Sequence, residues 1–272
     1  MQNIFYSIIV VCLNSGQRLF DTLDSIVAQQ YDNYEIVIKD GGSKDGSTEK
    51  IAEKYPEYQD KIRLYTQKDT GIYDAMNQAA ALAEGEYFLF LNTGDLFFND
   101  RVLADVTEEL AGKEEKPGIV YGNLYHRALE TIIYASPVMN DFTCYRNVPC
   151  HQTCFYRKDL FAKRAYDPKY NVRADYEHFL WCFYEEKTLI SYVPVVVASY
   201  EGGGYSETPK ARKQSKEQHK EITLRYMGKA KVCKFRLIML LTLAPLRSKI
   251  AESESLSKIY NKIKTWIYKI RA

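Results

Sequence analysis

Two glycine-rich, nucleotide-binding loop motifs that are common in α/β enzymes do not occur in this chain. No GxGxxG follows the first predicted strand, and no GxxxxGK[ST] occurs at any position. Their absence disfavours Rossmann-type dinucleotide binding and P-loop chemistry, because both depend on glycines that let the backbone approach the phosphates. The cysteines form no CxxC pair, and Cys150 and Cys154 have no second pair to complete a zinc site. A structural zinc is therefore not expected.

The sequence also lacks the patterns of a membrane-spanning helix and of a secretory signal. The apolar run at residues 237–246 is shorter than the roughly 20 residues that a bilayer requires. Residues 1–5 show neither the basic cluster nor the cleavage pattern of a secretory signal. We therefore expect a protein of the reducing cytoplasm.

What is present is enough apolar material for a core and an uneven distribution of charge. Of the 272 residues, 46% are hydrophobic and 26% charged, which suits one large domain or a domain with an extension. The net charge of +2 combines a body of about −7 with a segment, residues 229–272, of about +9. This split is a clue to location rather than to chemistry.

The basic segment ends in an apolar stripe with helical spacing, and lysines surround it. The stripe comprises Ile259, Ile263, Trp266, Ile267 and Ile270. A basic amphipathic helix with a Trp at its apolar edge is typical of a membrane interface, so we expect peripheral attachment through residues 229–272. The alternative is a terminal helix that packs on the body and leaves its basic face in water. Nucleic acid is a less suitable partner, because apolar residues interrupt the basic ones.

Strand and helix patterns alternate through the first half. Strands are predicted at residues 5–12, 34–39, 62–65 and 87–91, and helices at 18–30, 48–54, 75–83 and 101–110. This order predicts an α/β fold with a mostly parallel central sheet and helices on both faces.

The second half is less regular. Strands are predicted at residues 118–121, 131–134 and 189–199, and helices at 175–186 and 206–226. We divide the chain into one α/β domain at 1–228, with halves at about 1–112 and 113–228, and a basic helical extension at 229–272.

Small and acidic residues follow three of the predicted strands. Asn14 follows the first strand, Asp40 ends the second, and Asp95 follows the fourth. Ligands of open α/β sheets bind at the carboxyl ends of strands, so Asp40 and Asp95 predict one polar site. A carboxylate at Asp40 can accept hydrogen bonds from a base or ribose, and one at Asp95 can hold Mg²⁺ or Mn²⁺ beside a diphosphate. For Asp45 we expect only a turn or a helix cap.

Four motifs in order carry a resemblance to a known family. They are SIIVVCLN at residues 7–14, DGGSKDGS at 40–47, GIYDAMN at 71–77 and LNTGD at 91–95. Together they resemble family 2 glycosyltransferases of the GT-A fold, closely over residues 4–110 and more loosely to about 205. The resemblance implies an inverting transferase that uses a nucleotide-diphosphate sugar, usually with a divalent metal. It also implies that the half at about 1–112 binds the nucleotide-sugar and the half at about 113–228 the acceptor.

The resemblance also implies roles for single residues. Val11 and Asn14 correspond to positions where the first strand meets the nucleotide, and Asp40 to the Asp that binds base and ribose. Asn77 corresponds to an Asn near the nucleotide-sugar. Asp95 corresponds to the last Asp of the family's DxD-type motif, which binds Mn²⁺ or Mg²⁺.

This chain departs from that acidic motif. Asn92 and Gly94 stand where the family often has carboxylates. Asn92 can still hydrogen-bond ribose or sugar, but it carries no charge. We therefore expect weaker metal binding, or help from Asp74 and His151.

Inverting transfer needs a base, because the acceptor hydroxyl must lose its proton. By resemblance the base is Asp175, with Glu177 as second choice; the alternative role for Asp175 is that of a first-turn acid favoured by the helix dipole. His151 is a candidate ligand for a diphosphate oxygen or the metal. For the cations that a leaving diphosphate needs, the candidates are Arg173, Lys210 and Arg212. The triglycine at residues 202–204 is a candidate hinge.

These predictions combine into one leading function. The chain is expected to be a bacterial glycosyltransferase on the inner face of the cell membrane. It would move a sugar, from UDP in preference to GDP, to a saccharide or lipid-linked acceptor in cell-surface polysaccharide biosynthesis. Two alternatives remain open: a nucleotidyltransferase, and a degenerate transferase that binds a nucleotide or a protein partner.

Overall fold

The computed structural model describes residues 5–202 and 208–242. The predicted amphipathic helix at residues 259–270 and two of the three glycines, Gly203 and Gly204, lie outside the described residues. The start that was predicted for the last polar helix, Ser206, also lies outside them.

Four parallel strands form the first half of the sheet, in the order β3–β2–β1–β4. They are β1 (Tyr6–Cys12), β2 (Tyr34–Asp40), β3 (Ile62–Thr66) and β4 (Tyr87–Phe90). Every residue of β1, β2 and β4 is buried. Helices cover both faces of a parallel sheet, so its central strands have continuous apolar runs, as these strands do.

The second half of the sheet mixes strand directions. It contains β5 (Leu96–Phe97), β6 (Ile119–His126), β7 (Thr131–Ile133), β8 (Cys154–Arg157) and β9 (Ile190–Tyr200). Strand β8 lies antiparallel between β4 and β6, β9 is parallel to β6, and β5 and β7 pair antiparallel at its margins. The predicted α/β fold with a mostly parallel centre is confirmed, and its antiparallel part belongs to the less regular half.

Helices pack on both faces, as predicted. They are α1 (Gln17–Val27), α2 (Ile51–Lys54), α3 (Ile72–Ala80), α4 (Val102–Ala111), α5 (Asp141–Arg146), α6 (Lys158–Lys163), α7 (Ala174–Tyr184) and α8 (Pro209–Leu241). Alternate β1 residues enter two apolar clusters: Ile9 and Val11 face α3 and α7, whereas Ile8 and Val10 face α1 and α4. The sheet is therefore the middle layer of three.

The last described helix joins the domain to the basic segment. Thr208 caps α8 by accepting a hydrogen bond from the Ala211 amide, and the helix kinks at Gly228, where φ is 74°. Beyond the kink, Phe235 is buried against α5. The predicted boundary after residue 228 thus falls at the kink, and the helix beyond it still packs on the domain. In the described part of the chain, no helix is long and apolar enough to cross a membrane.

Strand direction brings the predicted polar residues to one edge of the sheet. The carboxyl ends of β1, β2 and β4 meet there, and Cys12 pairs with Asp40 in register. Because β8 is antiparallel to β4, its amino end, which follows His151, reaches the same edge. Strand β9 runs parallel to β6 and ends there at Tyr200.

Candidate active site

A cavity of about 580 Å³ opens at this edge of the sheet. Its volume lies within the range of small-molecule sites. The elements that line it include the ends of β1 and β4, the turn before β8, the start of α7 and the end of β9. The cavity brings together five of the predicted site residues: Val11, Asn92, Asp95, His151 and Asp175.

Asp175 lies in the first turn of α7, with its side chain 24% exposed. Tyr73 donates its hydroxyl proton to Oδ1 over 2.8 Å, and the Tyr176 amide donates to the same oxygen over 2.8 Å. Oδ2 lies 3.3 Å from Nδ1 of His151. One carboxylate is thus oriented by three donors while part of it still faces the cavity.

These contacts also set the ionisation of Asp175. Burial would raise the pKa of its carboxyl. Hydrogen bonds from His151 and Tyr73, together with the charge of His151 when protonated, outweigh burial and hold this pKa below its ordinary value. The amino end of α7 adds a favourable dipole for negative charge. Asp175 is therefore a carboxylate at neutral pH.

His151 connects Asp175 to the end of β4. Its Nε2 lies 2.9 Å from Nδ2 of Asn92, and its Nδ1 faces Asp175. With the Asn92 amide assigned as the donor, Nε2 accepts, and in the neutral imidazole Nδ1 carries the proton that is donated to Asp175. Both ring nitrogens are thus engaged by side chains of the cavity wall.

Asp95 is 5% exposed, and its carboxylate holds two loops. Gln152 donates to Oδ2 over 2.9 Å, and the Glu201 amide donates to Oδ1 over 3.1 Å. Burial raises the pKa of Asp95 in spite of these hydrogen bonds. The residue therefore ties the turn before β8 and the end of β9 to the end of β4.

The residues around Asp95 fit a metal ion only in part. Within residues 5–202 and 208–242, no group of three or more His, Cys, Asp and Glu side chains could hold one. The cavity here offers the Asp95 carboxylate and Oδ1 of Asn92, a buried atom with no partner among the described residues. Octahedral Mg²⁺ takes about six ligands, so a diphosphate would have to supply further oxygens.

An ion pair fills the space that a side chain at Gly94 would need, at the position where the family often has a carboxylate. A Cβ built there would lie 2.5 Å from Nη2 of Arg18 and 2.5 Å from Oε2 of Glu201. These two groups pair with each other, and Arg18 also donates to the Thr93 carbonyl over 3.3 Å. The Gly94 φ of 98° further favours glycine.

Cationic side chains also line the cavity. Arg173 is held by Oγ of Ser215 at 2.7 Å and by Oδ1 of Asn147 at 3.1 Å. Arg212 also lines the cavity, whereas Lys210 is exposed and does not. Of the three predicted cations, the structure therefore brings Arg173 and Arg212 to the site and adds Arg18.

Asp40 lies at the end of β2, outside the wall of this cavity. It is 1% exposed and accepts hydrogen bonds from the Ser43 amide and from the Ser43 hydroxyl, at 2.6 Å for the latter. The buried ammonium of Lys39 donates to the Asp40 carbonyl and pairs with Asp69 at 3.1 Å. Nucleotide binding by Asp40 stays a prediction.

Two other residues that are predicted to contact the nucleotide, Asn14 and Asn77, form hydrogen bonds within the protein. The Asn14 side chain accepts from the Lys44 amide over 2.8 Å, and its φ is 50°. Asn77 uses both ends of its amide on the Tyr166 backbone, at 2.8 and 2.9 Å. Neither lines the cavity, so ligand roles for Asn14 and Asn77 stay predictions.

Glu177, the second choice for the base, lies in a buried ion cluster. It is fully buried and accepts from Arg164 at 2.7 Å and from Tyr226 at 2.5 Å. It does not line the cavity. Of the two candidates, Asp175 is the one that lines the cavity, and its role as the base stays a prediction.

Sequence reasoning missed four residues that shape the site: Arg18, Tyr73, Gln152 and Glu201. Tyr73 stands inside the motif GIYDAMN, and Gln152 directly follows the candidate His151, so their positions in the sequence could have indicated them. Arg18 and Glu201 lie 183 residues apart and meet only through the fold.

Comparison with known proteins identifies the family. The model of glycosyl transferase family 2 matches residues 7–170, more than half of the chain. A protein named as a PGL/p-HBAD biosynthesis glycosyltransferase in Mycobacterium bovis is 35% identical over 205 residues, which are 75% of this chain and 79% of the relative.

Solved structures show the same fold at low identity. Staphylococcus aureus TarS 1-349 aligns with a TM-score of 0.66 and 18% identity over 85% of this chain and 70% of its own. The mannosyltransferase PcManGT from Pyrobaculum calidifontis, in complex with GDP-Man and Mn²⁺, aligns with a TM-score of 0.60 and 18% identity over 96% and 82%. The architecture is therefore that of GT-A glycosyltransferases, and the chain belongs to glycosyl transferase family 2 and is a glycosyltransferase.

Proposed function

We propose that this enzyme transfers a sugar from a nucleotide-diphosphate sugar to an acceptor hydroxyl, with inversion and with Asp175 as the base. The observation that carries the proposal is the Asp175 carboxylate, ionised and oriented by Tyr73 and His151 within a 580 Å³ cavity. A solved structure of TarS contains UDP-GlcNAc, and the PcManGT structure contains GDP-Man, which supports a donor of this class. We expect UDP rather than GDP.

Transfer would be a single displacement. The acceptor oxygen attacks the anomeric carbon while the bond from that carbon to the diphosphate oxygen breaks. The acceptor proton passes to the Asp175 carboxylate, and attack opposite the leaving group inverts the anomeric centre. Because Asp175 lines the cavity, the acceptor hydroxyl would have to bind beside it there.

His151 and Tyr73 would position the base. Two hydrogen bonds fix the carboxylate and leave part of it open to the cavity, so a proton can be accepted without a rotamer change. His151 has both nitrogens in use, which favours this role over its sequence-based role as a ligand of the diphosphate or the metal.

The leaving diphosphate would be stabilised by the arginines. Arg18, Arg173 and Arg212 line the cavity and carry charge at all physiological pH values. Fixed cations at the site of developing charge lower the barrier for departure.

A divalent ion, Mn²⁺ or Mg²⁺, would be held by Asp95 and Asn92 together with the diphosphate. Such an ion neutralises charge on the leaving group. We expect Mn²⁺ alone to leave the melting temperature unchanged and Mn²⁺ with UDP to raise it above the value with UDP alone, because ligands that bind the native state stabilise it. Asp95→Asn should remove the extra shift due to Mn²⁺ and keep most of the UDP shift; an undiminished shift would contradict the metal role.

Asp175→Asn tests the base directly. The substitution keeps the shape and removes the proton acceptor, so sugar transfer should fall by about 10²- to 10⁴-fold. UDP should still raise the melting temperature by the wild-type amount, which separates loss of the base from loss of folding. Near-normal turnover by this variant would exclude Asp175 as the base.

The acceptor is proposed to be a saccharide or a lipid-linked glycan of the cell surface. The mycobacterial relative is named as a glycosyltransferase of PGL/p-HBAD biosynthesis, which supports a role in the assembly of a glycan. The basic segment at residues 229–272 would hold the enzyme on the inner face of the membrane, where such acceptors occur.

A further inference from the structure

A second cavity, of about 160 Å³, adjoins the first one. Strand β6 and the segment after β7 form one side, and the end of α5 with the following loop forms the other. None of the residues assigned above to the donor or to catalysis lines it, so its chemistry is not used by the proposed reaction.

The walls of this cavity are mainly apolar. They include Leu124, Ile133, Ala135, Met139 and Val148. Thr143, Arg146 and Asn147 also line the cavity and add polar groups. An apolar chamber with a few polar groups is the usual form of a small-molecule site.

Hydrogen bonds fix the walls before any ligand binds. The Tyr121 hydroxyl donates to the Ser136 carbonyl over 2.6 Å, and the Ala135 amide donates to Oδ1 of Asn123 over 3.0 Å. On the other side, Asn140 caps α5 by accepting from two amides at its start. A preformed chamber avoids the entropic cost of ordering its walls on binding.

One turn of chain separates the two cavities. Cys150 lines both, Thr153 lines the smaller one, and His151 and Gln152 line the larger one. Residues 147–149 are also shared. A ligand in the smaller cavity would therefore lie directly across this turn from His151 and the base that it holds.

We propose that the smaller cavity binds an apolar, ring-sized aglycone of the acceptor, whose hydroxyl or sugar reaches Asp175 across the turn at Cys150–Thr153. This inference rests on the proposed function, because it places an acceptor at that base. The size agrees, since an apolar cavity of about 150 Å³ in another protein is large enough for benzene. The acceptor is thus a glycoside or alcohol that bears an aromatic or compact apolar group, and a bare sugar would leave the chamber unfilled.

The test compares phenyl and methyl glycosides of glucose, galactose and mannose, with UDP present. In saturation-transfer NMR the phenyl protons should receive magnetisation from the protein, and phenyl glycosides should bind about tenfold more tightly than methyl glycosides. Ala135→Phe, which fills the chamber, should abolish this preference. Ala135→Ser leaves the chamber open and should keep it.

Further controls keep the outcome decisive. Met139→Trp fills the chamber from another part of its wall and carries the test if Ala135→Phe does not fold. Ala128→Phe, on an exposed turn, should leave the phenyl preference unchanged. Equal binding of the two glycosides by the wild type, or a preference that survives both filling variants, would overturn the inference.

Failure here is distinguishable from failure of the proposed function. Donor hydrolysis and UDP binding depend on the larger cavity, so they should stay within about twofold of wild type in Ala135→Phe. If Asp175→Asn keeps full transfer while the phenyl preference is present, the proposed base is wrong and the aglycone cavity stands.

Discussion

At the scale of single residues, the site is organised around one histidine whose partners the sequence could not predict. His151 lies between Asn92 and Asp175, with contacts of 2.9 and 3.3 Å. The sequence predicts a ligand for a diphosphate oxygen or a metal, whereas the contacts of His151 suit a residue that orients the proposed base, Asp175. The difference arises because a motif fixes which residue is present, while the fold fixes which atoms it faces.

His151→Ala should change the pH dependence of transfer. His151 is the leading cause that lowers the pKa of Asp175, and burial, which raises it, would remain after the substitution. The pKa of Asp175 should therefore rise, and the acidic limb of the kcat/KM profile should move to higher pH. The rate at neutral pH should fall by about 10- to 100-fold, because the carboxylate also loses its orientation.

The pH profile separates positioning from structure. His151→Gln keeps a donor near Asp175 without an ionisable ring, so it should recover part of the rate. An acidic limb that stays in place in His151→Ala would contradict the positioning role, whatever the loss of rate.

Gly94 shows that a missing carboxylate in the acidic motif cannot be interpreted from the motif alone. In the sequence, Gly94 is only a position at which the family often has a carboxylate and this chain does not. In the structure, the Arg18–Glu201 ion pair occupies the space that a side chain there would need. A long-range pair of this kind leaves no local signal, so spacing and propensity could not predict it.

At the scale of elements, the parallel half of the sheet was predictable and the mixed half less so. Strands β1, β2 and β4 are buried on both faces, which produces apolar runs that end at polar residues. The predicted helix at residues 75–83 begins earlier in the structure, at Ile72, because Gly71 with φ of 144° ends the preceding loop. Periodicity indicates where a helix continues better than where it begins.

The elements that were missed are short and have weak local patterns. Strand β5 has two residues, and helices α5 and α6 have six each. Six residues span less than two turns, so the 3.6-residue period has too few repeats to be recognised. Their stability comes from tertiary contacts, such as the packing of α5 on α8.

Helix α8 contributes to domain stability beyond its kink. Phe235 is 7% exposed, and its ring lies 5.5 Å from that of Phe142 and 5.4 Å from that of Tyr145. Phe235→Ala should lower the free energy of unfolding by about 3 kcal/mol, because a buried ring is replaced by a void. Urea denaturation measures this change.

An exposed position on the same helix gives the matched control. Leu237 is 57% exposed, so Leu237→Ala should cost under about 0.5 kcal/mol. Equal effects of the two substitutions would mean that residues beyond Gly228 do not pack on the domain.

At the scale of the whole molecule, the change of charge after residue 228 coincides with the kink of α8, but packing on the domain continues beyond it. The net charge changes from about −7 to about +9 after residue 228, yet α8 continues through Gly228 to Leu241 and packs on α5. The basic segment therefore has a packed first part and a second part, residues 243–272, on which the membrane prediction depends. The sequence predicted the charge and the apolar stripe, while the packed part became evident only from the buried ring of Phe235.

This division determines how membrane attachment should be tested. A truncation at Met227 would remove Phe235 and disturb the domain, so the cut belongs after Thr242. The full chain should float with vesicles that contain anionic phosphatidylglycerol and should bind neutral phosphatidylcholine vesicles less. The truncated chain should lose binding to both, because it loses the apolar stripe and 7 of the 11 basic residues of the segment at 229–272.

Salt and a double variant separate the electrostatic from the apolar contribution to membrane binding. Raising the ionic strength from 0.1 to 0.5 M shortens the Debye screening length from about 10 Å to less than half of that. Attraction to anionic lipids then acts over a shorter distance, so flotation of the full chain should weaken. Trp266→Ser with Ile270→Ser in the full chain removes apolar contact without changing charge, and it should reduce flotation further at high salt. If the chain cut after Thr242 floats as well as the full chain, the attachment lies elsewhere. The lipid-linked acceptor would then have to reach Asp175 without help from the basic segment.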